Sequence, residues 1–114
     1  MKNPEFMNKL ILSSIPQKEI VPGFQARMVH TENMTISYVE VEAGAELPEH
    51  FHVHEQVTRL VRGSFELTLD GETRLLEPGD IVVIPSNAKH SGRALEACKI
   101  VDVFTPARED YRSL

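Results

Sequence analysis

Apolar and polar residues alternate along this chain over short stretches, and they seldom recur at the three-to-four spacing of a helix. From Ser64 to Leu69, Phe65, Leu67 and Leu69 fall on one face and Ser64, Glu66 and Thr68 on the other, the period-two pattern of a strand with one buried face. Asp70-Gly71 follows, a dipeptide suited to a type I′ hairpin because both central residues need positive φ. Thr73 to Leu76 is then the return strand. Met34 to Val41 is rich in β-branched and aromatic residues, largely alternating, and Glu42 to Ala45 breaks it. Pro78-Gly79-Asp80 makes another turn ahead of Ile81 to Ile84, apolar throughout and so expected to be buried, which Pro85 closes. Lys99 to Phe104 is the last strand, ended by Pro106. The tail from Ala107 to Leu114 has some helical character but is too short to add a layer. Short strands at close spacing, separated by Gly and Pro turns, predict an all-β fold, with a double-sheet jelly roll fitting the length.

With 114 residues, the chain has room for a single core. The domain is expected to span residues 1–114 with its core at about 34–106. The first six residues, MKNPEF, show no periodicity and are either native or an expression scar. A net charge of −5 argues against a nucleic-acid partner. No apolar run reaches the roughly 18 to 20 residues of a membrane span, and no membrane partner is expected. The lone Cys98 excludes an internal disulfide, which suits a reducing compartment, and reads as a small buried hydrophobe. A soluble, cytoplasmic protein is the expectation.

The histidines narrow the chemistry. Three of the five lie within five residues, His50, His52 and His54, followed by Gln56; His90 sits beyond the hairpin and His30 stands apart. On an extended chain, residues two apart project from one face about 7 Å from each other, so His50 and His52 can converge on one cation at roughly 2.0 to 2.2 Å from each nitrogen. Gln56 and His90 can complete the shell if the sheet curls. An isolated His-x-His pair is more often merely solvated or packed. Its place between a glycine turn and a strand, with a further His ahead of another strand, favours a metal. His54 shares the parity of the pair but falls where the chain turns, which makes it a turn residue or a support for a ligand. His30 reads as a satisfied strand histidine.

Gly44, five residues, His50-x-His52, three residues, Gln56, six residues, Gly63 resembles the first motif of the cupin superfamily, with Gln where Glu is usual. Gly71, Pro78-Gly79-Asp80 and Pro85-x-Asn87-x-x-His90 resemble the second, although Asn87 stands where Gly is common and Ala94 replaces the terminal Asn. The resemblance spans Val39 to Phe104. It implies a small jelly-roll barrel of roughly six to eight core strands, with one divalent transition metal (Zn, Ni, Fe, Co or Mn) held by His50, His52, Gln56 and His90. A neutral amide in place of a carboxylate holds the ion less tightly but leaves it more positive, and so a better Lewis acid. Small cupins usually pair, and a homodimer is expected. The Asn8 to Ile20 segment, with Leu10, Ile11, Leu12 and Ile15, is a candidate strand to cover a sheet edge.

On the final strand Ile100, Asp102 and Phe104 share one face and Val101 and Val103 the other. Both faces are therefore expected to be buried, and Asp102 becomes an acid in apolar surroundings, either paired structurally or poised as a general base. The run Ile100 to Tyr111 is similar to the C-terminal signature of the KdgF-type cupins of pectin and alginate breakdown, in which an Asp, a Phe and an Arg are spaced like Asp102, Phe104 and Arg108. That resemblance implies an enzyme that converts 4,5-unsaturated uronates to the linear keto sugar acid. Arg108 would hold the anionic sugar's carboxylate, Asp102 would move the proton, and Phe104 would pack on the ring. Two further readings stay open: a non-catalytic metal-binding cupin that binds or senses a small ligand, and an Fe-dependent dioxygenase. Arg59, Arg62, Arg74 and Arg93 read as solvated charges under each.

Overall fold

The computed structural model describes residues 7–114; the six-residue lead lies outside the described residues. Ten strands run in order: β1 (Lys18–Val21), β2 (Phe24–His30), β3 (Thr35–Val41), β4 (Glu46–His50), β5 (Glu55–Arg62), β6 (Phe65–Leu69), β7 (Glu72–Leu76), β8 (Ile81–Ile84), β9 (His90–Ala94) and β10 (Cys98–Thr105). One helical turn, α1 (Glu109–Arg112), follows. The strands form a six-stranded sheet, β1-β2-β3-β10-β5-β8, and a four-stranded sheet, β4-β9-β6-β7. All neighbours are antiparallel. This is the all-β, two-sheet jelly roll expected, with more strands than the six to eight foreseen.

Asp70 and Gly71 adopt φ of 47° and 85°, as the hairpin between β6 and β7 requires. The inward side chains of both sheets make the core, among them Phe24, Val39, Leu60, Phe65, Ile84 and Ile100. Phe24 of β2 meets Phe65 of β6 edge to face, with centroids 6.4 Å apart, and joins the sheets. Gly92 of β9 lies under the Phe65 ring, where an added Cβ would collide with it. Cys98 is buried, with Sγ donating to the carbonyls of Ser64 and Glu96 at 3.3 and 3.2 Å, and burial raises its pKa. It packs as the small hydrophobe expected.

Four expectations need correction. Ile81 to Ile84 is not a buried strand: Ile84 is 1% exposed, but Ile81 and Val83 are 63% and 58% exposed. As β8 it edges the sheet and turns only one face to the core, so burial follows the period of two. The Asn8 to Ile20 segment is not one strand. Only β1 forms at its end, Leu12–Ser14 makes a single 3-10 turn, and Pro16 lacks the N–H a ladder needs. Arg27 holds this segment on the outer face of the sheet by donating to the carbonyls of Ser13 and Ile15. The final strand is buried on its inward face at Ile100 and Phe104, while Val101 and Val103 outside are only half-buried. The tail does matter: Ala107 and Arg108 are buried.

Candidate metal centre

Two strand ends bring the imidazoles together. His50 closes β4 and pairs in register with His90, which opens β9. His52 follows two residues on, in extended chain, and its loop is tied down where the carbonyl of His52 accepts the N–H of Asn87 at 2.8 Å. Asn87 itself has φ 65°, a left-handed conformation that Asn tolerates better than most residues, which explains its standing where Gly is common. The rings of His50 and His90 lie 4.1 Å apart, and those of His52 and His90 5.1 Å. One ring nitrogen from each of His50, His52 and His90 falls within 4.8 Å of the others.

The tautomers follow from the neighbours. Nδ1 of His50 faces the carbonyl of Pro48 at 2.9 Å, Nδ1 of His90 that of Ala88 at 2.9 Å, and Nδ1 of His52 that of His54 at 3.0 Å. A carbonyl only accepts, so each Nδ1 carries the proton and each Nε2 of a neutral ring carries a lone pair. Burial is the main cause that pushes His52 down to about 4 and lowers His90, so both rings are neutral at neutral pH. Nε2 of His90 is buried and has no hydrogen-bond partner among the described residues. Nε2 of His52 faces Oε1 of Gln56 at 3.1 Å. With the ring proton on Nδ1, both of those atoms are acceptors. Two lone pairs set against each other, beside an orphaned third, fit a cation.

Gln56 is fixed from its other end. Its Nε2 donates to Thr58 Oγ1 at 2.8 Å and to Asp102 Oδ1 at 3.3 Å, and Thr58 Oγ1 donates to the same Oδ1 at 2.7 Å. The register explains the cluster, since β5 and β10 pair Thr58 with Asp102 and Gln56 with Phe104. Burial raises Asp102 to about 6, against the lowering effect of the Thr58 and Gln56 hydrogen bonds and of Arg108. Oδ2 has no protein donor among the described residues.

Arg108, expected in the bland case to be an exposed tail residue, is 6% exposed. Its backbone N–H donates to Thr35 Oγ1 at 2.9 Å, and that hydroxyl also meets His30 Nδ1 at 2.8 Å, so His30 is the satisfied strand histidine foreseen. The guanidinium lies over Tyr111, 3.7 Å from its centroid, and 4.7 Å from that of Phe104. Nε and Nη2 fork onto Asp110 at 3.0 and 2.8 Å. Burial is the largest single influence and works against the charge, but the Asp110 hydrogen bonds together with the charge and hydrogen-bonding effects of Asp110 and Tyr111 outweigh it and keep Arg108 above its ordinary value. Phe104 is buried and sets its ring edgewise to His52, with centroids 5.7 Å apart. His50, Gln56, His90, Asp102, Phe104 and Arg108 line one cavity at the end of the barrel.

The structure thus brings together the three histidines, Gln56, Asp102, Phe104 and Arg108. His54 stays outside the triad and contributes its carbonyl to orient His52. Cys98 lies at the far end of β10 from Phe104. Thr58, Asp110 and Tyr111 escaped the sequence reading. The first could have been found by parity, two residues beyond Gln56, whereas the others needed the fold of the tail.

Residues 37–104 match the family model described as Cupin domain. The chain is 29% identical over 99 residues to the pectin degradation protein KdgF of Dickeya dadantii (strain 3937), covering 84% of this chain and 90% of the relative. The structure of KdgF from Halomonas sp. is 35% identical with a TM-score of 0.83, covering 89% of this chain and 96% of that one. An RmlC-like cupin from Shewanella frigidimarina NCIMB 400 superposes with a TM-score of 0.85 at 27% identity, covering 90% and 93%.

Proposed function

Since this chain belongs to the cupin family, we propose that it is a metal-dependent enzyme of KdgF type, which converts a 4,5-unsaturated uronate to the linear keto sugar acid. The observation that carries this reading is the facing of His52 Nε2 and Gln56 Oε1, both acceptors, beside the orphaned Nε2 of His90, in one cavity with Asp102 and Arg108. The likeness to the pectin degradation protein KdgF of Dickeya dadantii supports the choice of substrate class.

His50, His52, Gln56 and His90 would hold a divalent transition metal, whose chemistry there is Lewis-acid polarisation of a substrate oxygen. Asp102 takes the proton of the anomeric hydroxyl on Oδ2, the oxygen that Thr58 and Gln56 leave free. The hemiacetal C–O bond then breaks, giving an aldehyde and an enolate on the former ring oxygen. Asp102 returns the proton to the enolate carbon, and the second carbonyl forms. Atoms and electrons balance as an isomerisation, with no redox partner. Arg108 binds the substrate carboxylate through Nη1 and the remaining Nη2 hydrogen, because Asp110 already occupies the Nε side of the fork. Phe104 packs against the sugar and keeps water out.

The test follows the ultraviolet absorbance of a 4,5-unsaturated galacturonate with metal-loaded protein. Loss of the conjugated double bond that stops with chelator and returns with metal is the expected result. No acceleration over buffer would overturn the assignment. Asp102→Asn should keep metal and fold and lose at least about a hundredfold in turnover, the scale of general acid–base catalysis; full activity in that variant would remove Asp102 from the mechanism.

A further inference from the structure

β10 ends at Thr105, so Arg108, Asp110 and Tyr111 leave the sheet together. Their contacts with one another are close: the fork onto Asp110 and the stack on Tyr111 both lie within the tail. Such contacts fix the guanidinium relative to the tail, not relative to the cavity. What fixes the tail to the barrel lies in β2, β3 and the turn between them. The backbone N–H of Arg108 donates to Thr35 Oγ1 at 2.9 Å, and Arg112 Nη2 donates to the carbonyl of Thr31 at 2.9 Å. The turn between these two acceptors is itself closed. The N–H of Thr31 donates to the Met34 carbonyl at 2.8 Å, and the N–H of Met34 to Thr31 Oγ1 at 3.1 Å.

Thr35 is the stronger of the two anchors. It is 0% exposed, and the register sets it between His30 of β2 and Phe104 of β10. Phe104 pairs in turn with Gln56, so one row of residues runs from the candidate metal centre to the anchor. A hydroxyl in such a place needs a reason, because valine has nearly the same shape, the same preference for strands and no polar atom to bury. The hydrogen bonds supply it. A backbone N–H only donates, so Oγ1 accepts from Arg108, and the hydroxyl hydrogen passes to His30 Nδ1 at 2.8 Å. His30 then carries its proton on Nε2, the opposite tautomer to the three rings of the metal centre. Its ring aims the hydroxyl that holds Arg108.

We propose that Thr35 is a positioning residue for substrate binding: its hydroxyl, aimed by His30, sets the backbone of Arg108 and through it the reach of the guanidinium into the cavity. The inference rests on the reading of Arg108 as the holder of the substrate carboxylate. A group so used binds substrate and transition state alike, so a fault in its placement raises KM and leaves kcat nearly unchanged. A merely structural threonine would act through the folded fraction instead, lowering kcat and metal content together with KM unmoved.

Steady-state kinetics on the metal-loaded full chain, paired with amide hydrogen exchange by NMR without substrate, test it. Thr35→Val should raise KM for 4,5-unsaturated galacturonate roughly tenfold, the scale of one lost hydrogen bond, and change kcat by less than about threefold. Its Arg108 amide should exchange at least about tenfold faster. The amide of Leu60, which donates to the Asp80 carbonyl, should keep its wild-type rate. Thr35→Ser restores the hydroxyl and should bring KM back to within about threefold of wild type. His30→Leu leaves the hydroxyl without its acceptor and should raise KM by a smaller factor than Thr35→Val. Wild-type KM and wild-type Arg108 exchange in Thr35→Val overturn the proposal. So does exchange that quickens at Leu60 as much as at Arg108, or a Thr35→Ser variant no better than Thr35→Val. Exchange needs no substrate, so a wild type without turnover defeats the catalytic reading, while the Arg108 amide still decides whether Thr35 places it.

Discussion

Gln56 uses both ends of one amide. Oε1 turns to His52 Nε2 while Nε2 donates to Thr58 and Asp102, so the candidate metal centre and the acid are coupled through a single planar unit. A glutamate has no N–H to give and would set a second anion against Asp102. Gln56→Glu should therefore hold metal against chelator better than wild type and turn over substrate at least about tenfold more slowly, the scale of changes in the groups around a metal site; a chelator competition read beside a rate checks both. Thr58→Val removes the donor at 2.7 Å from Oδ1 at nearly constant volume, and an acceptor stripped of a partner costs about 1 to 3 kcal/mol, readable as a lower denaturation midpoint. Asp110 acts on the neighbouring cation. Asp110→Asn frees the fork of Arg108, and the expected kinetic signature is a raised KM with a smaller change in kcat, because the guanidinium must be ordered anew by each substrate. Asp110 also predicts a pH effect. The hydrogen bonds from Arg108 hold its carboxyl below the ordinary range, so the stability it contributes is complete above the unfolded value of about 4 and is lost as pH falls through the folded one. The difference in Tm between wild type and Asp110→Asn should be present at neutral pH and close in acid.

At the scale of elements, legibility depended on which way the apolar residues face. β6 carries its apolar residues where the period of two puts the core, and Ser64 to Leu69, Thr73 to Leu76 and Lys99 to Phe104 match β6, β7 and β10 to within a residue at each end, although Leu75, Val101 and Val103 face outward. β5 was unreadable because its inner face holds Gln56 and Thr58 and its outer face holds valines. β9, His90-Ser-Gly-Arg-Ala, shows no alternation at all and is held by its neighbours β4 and β6. The resemblance located His50, His52, Gln56 and His90 through spacing, which needs no hydrophobic pattern. It could not give the hydrogen bonds that select the tautomers, since three of those acceptors are backbone carbonyls. Nor could it give the packing of the tail, where Arg108 depends on Tyr111 and Asp110 across a single helical turn. Packing between elements yields a prediction at Gly92, whose missing side chain admits the Phe65 ring. Gly92→Ala should cost about 1 to 3 kcal/mol through overpacking, measured as a shift in the denaturation midpoint with no change in slope.

For the molecule as a whole, the two sheets enclose an apolar core that passes into the cavity at one end, where residues from β4, β5, β9, β10 and the tail meet. No helix among the described residues is long and apolar enough to cross a membrane. The imidazoles are held by carbonyls of their own chain, at Pro48, His54 and Ala88, rather than by one another. Stripping the metal with chelator should therefore leave the strands intact by circular dichroism and lower Tm only by the binding energy lost, with full recovery when metal returns. Loss of the β signal on chelation would show that the ion holds the barrel together. A preformed nest of lone pairs of this sort would take up an ion after folding and exchange it without unfolding. An ion found in a purified sample would then be a record of what the surroundings last offered, kept for as long as exchange at the cavity is slow.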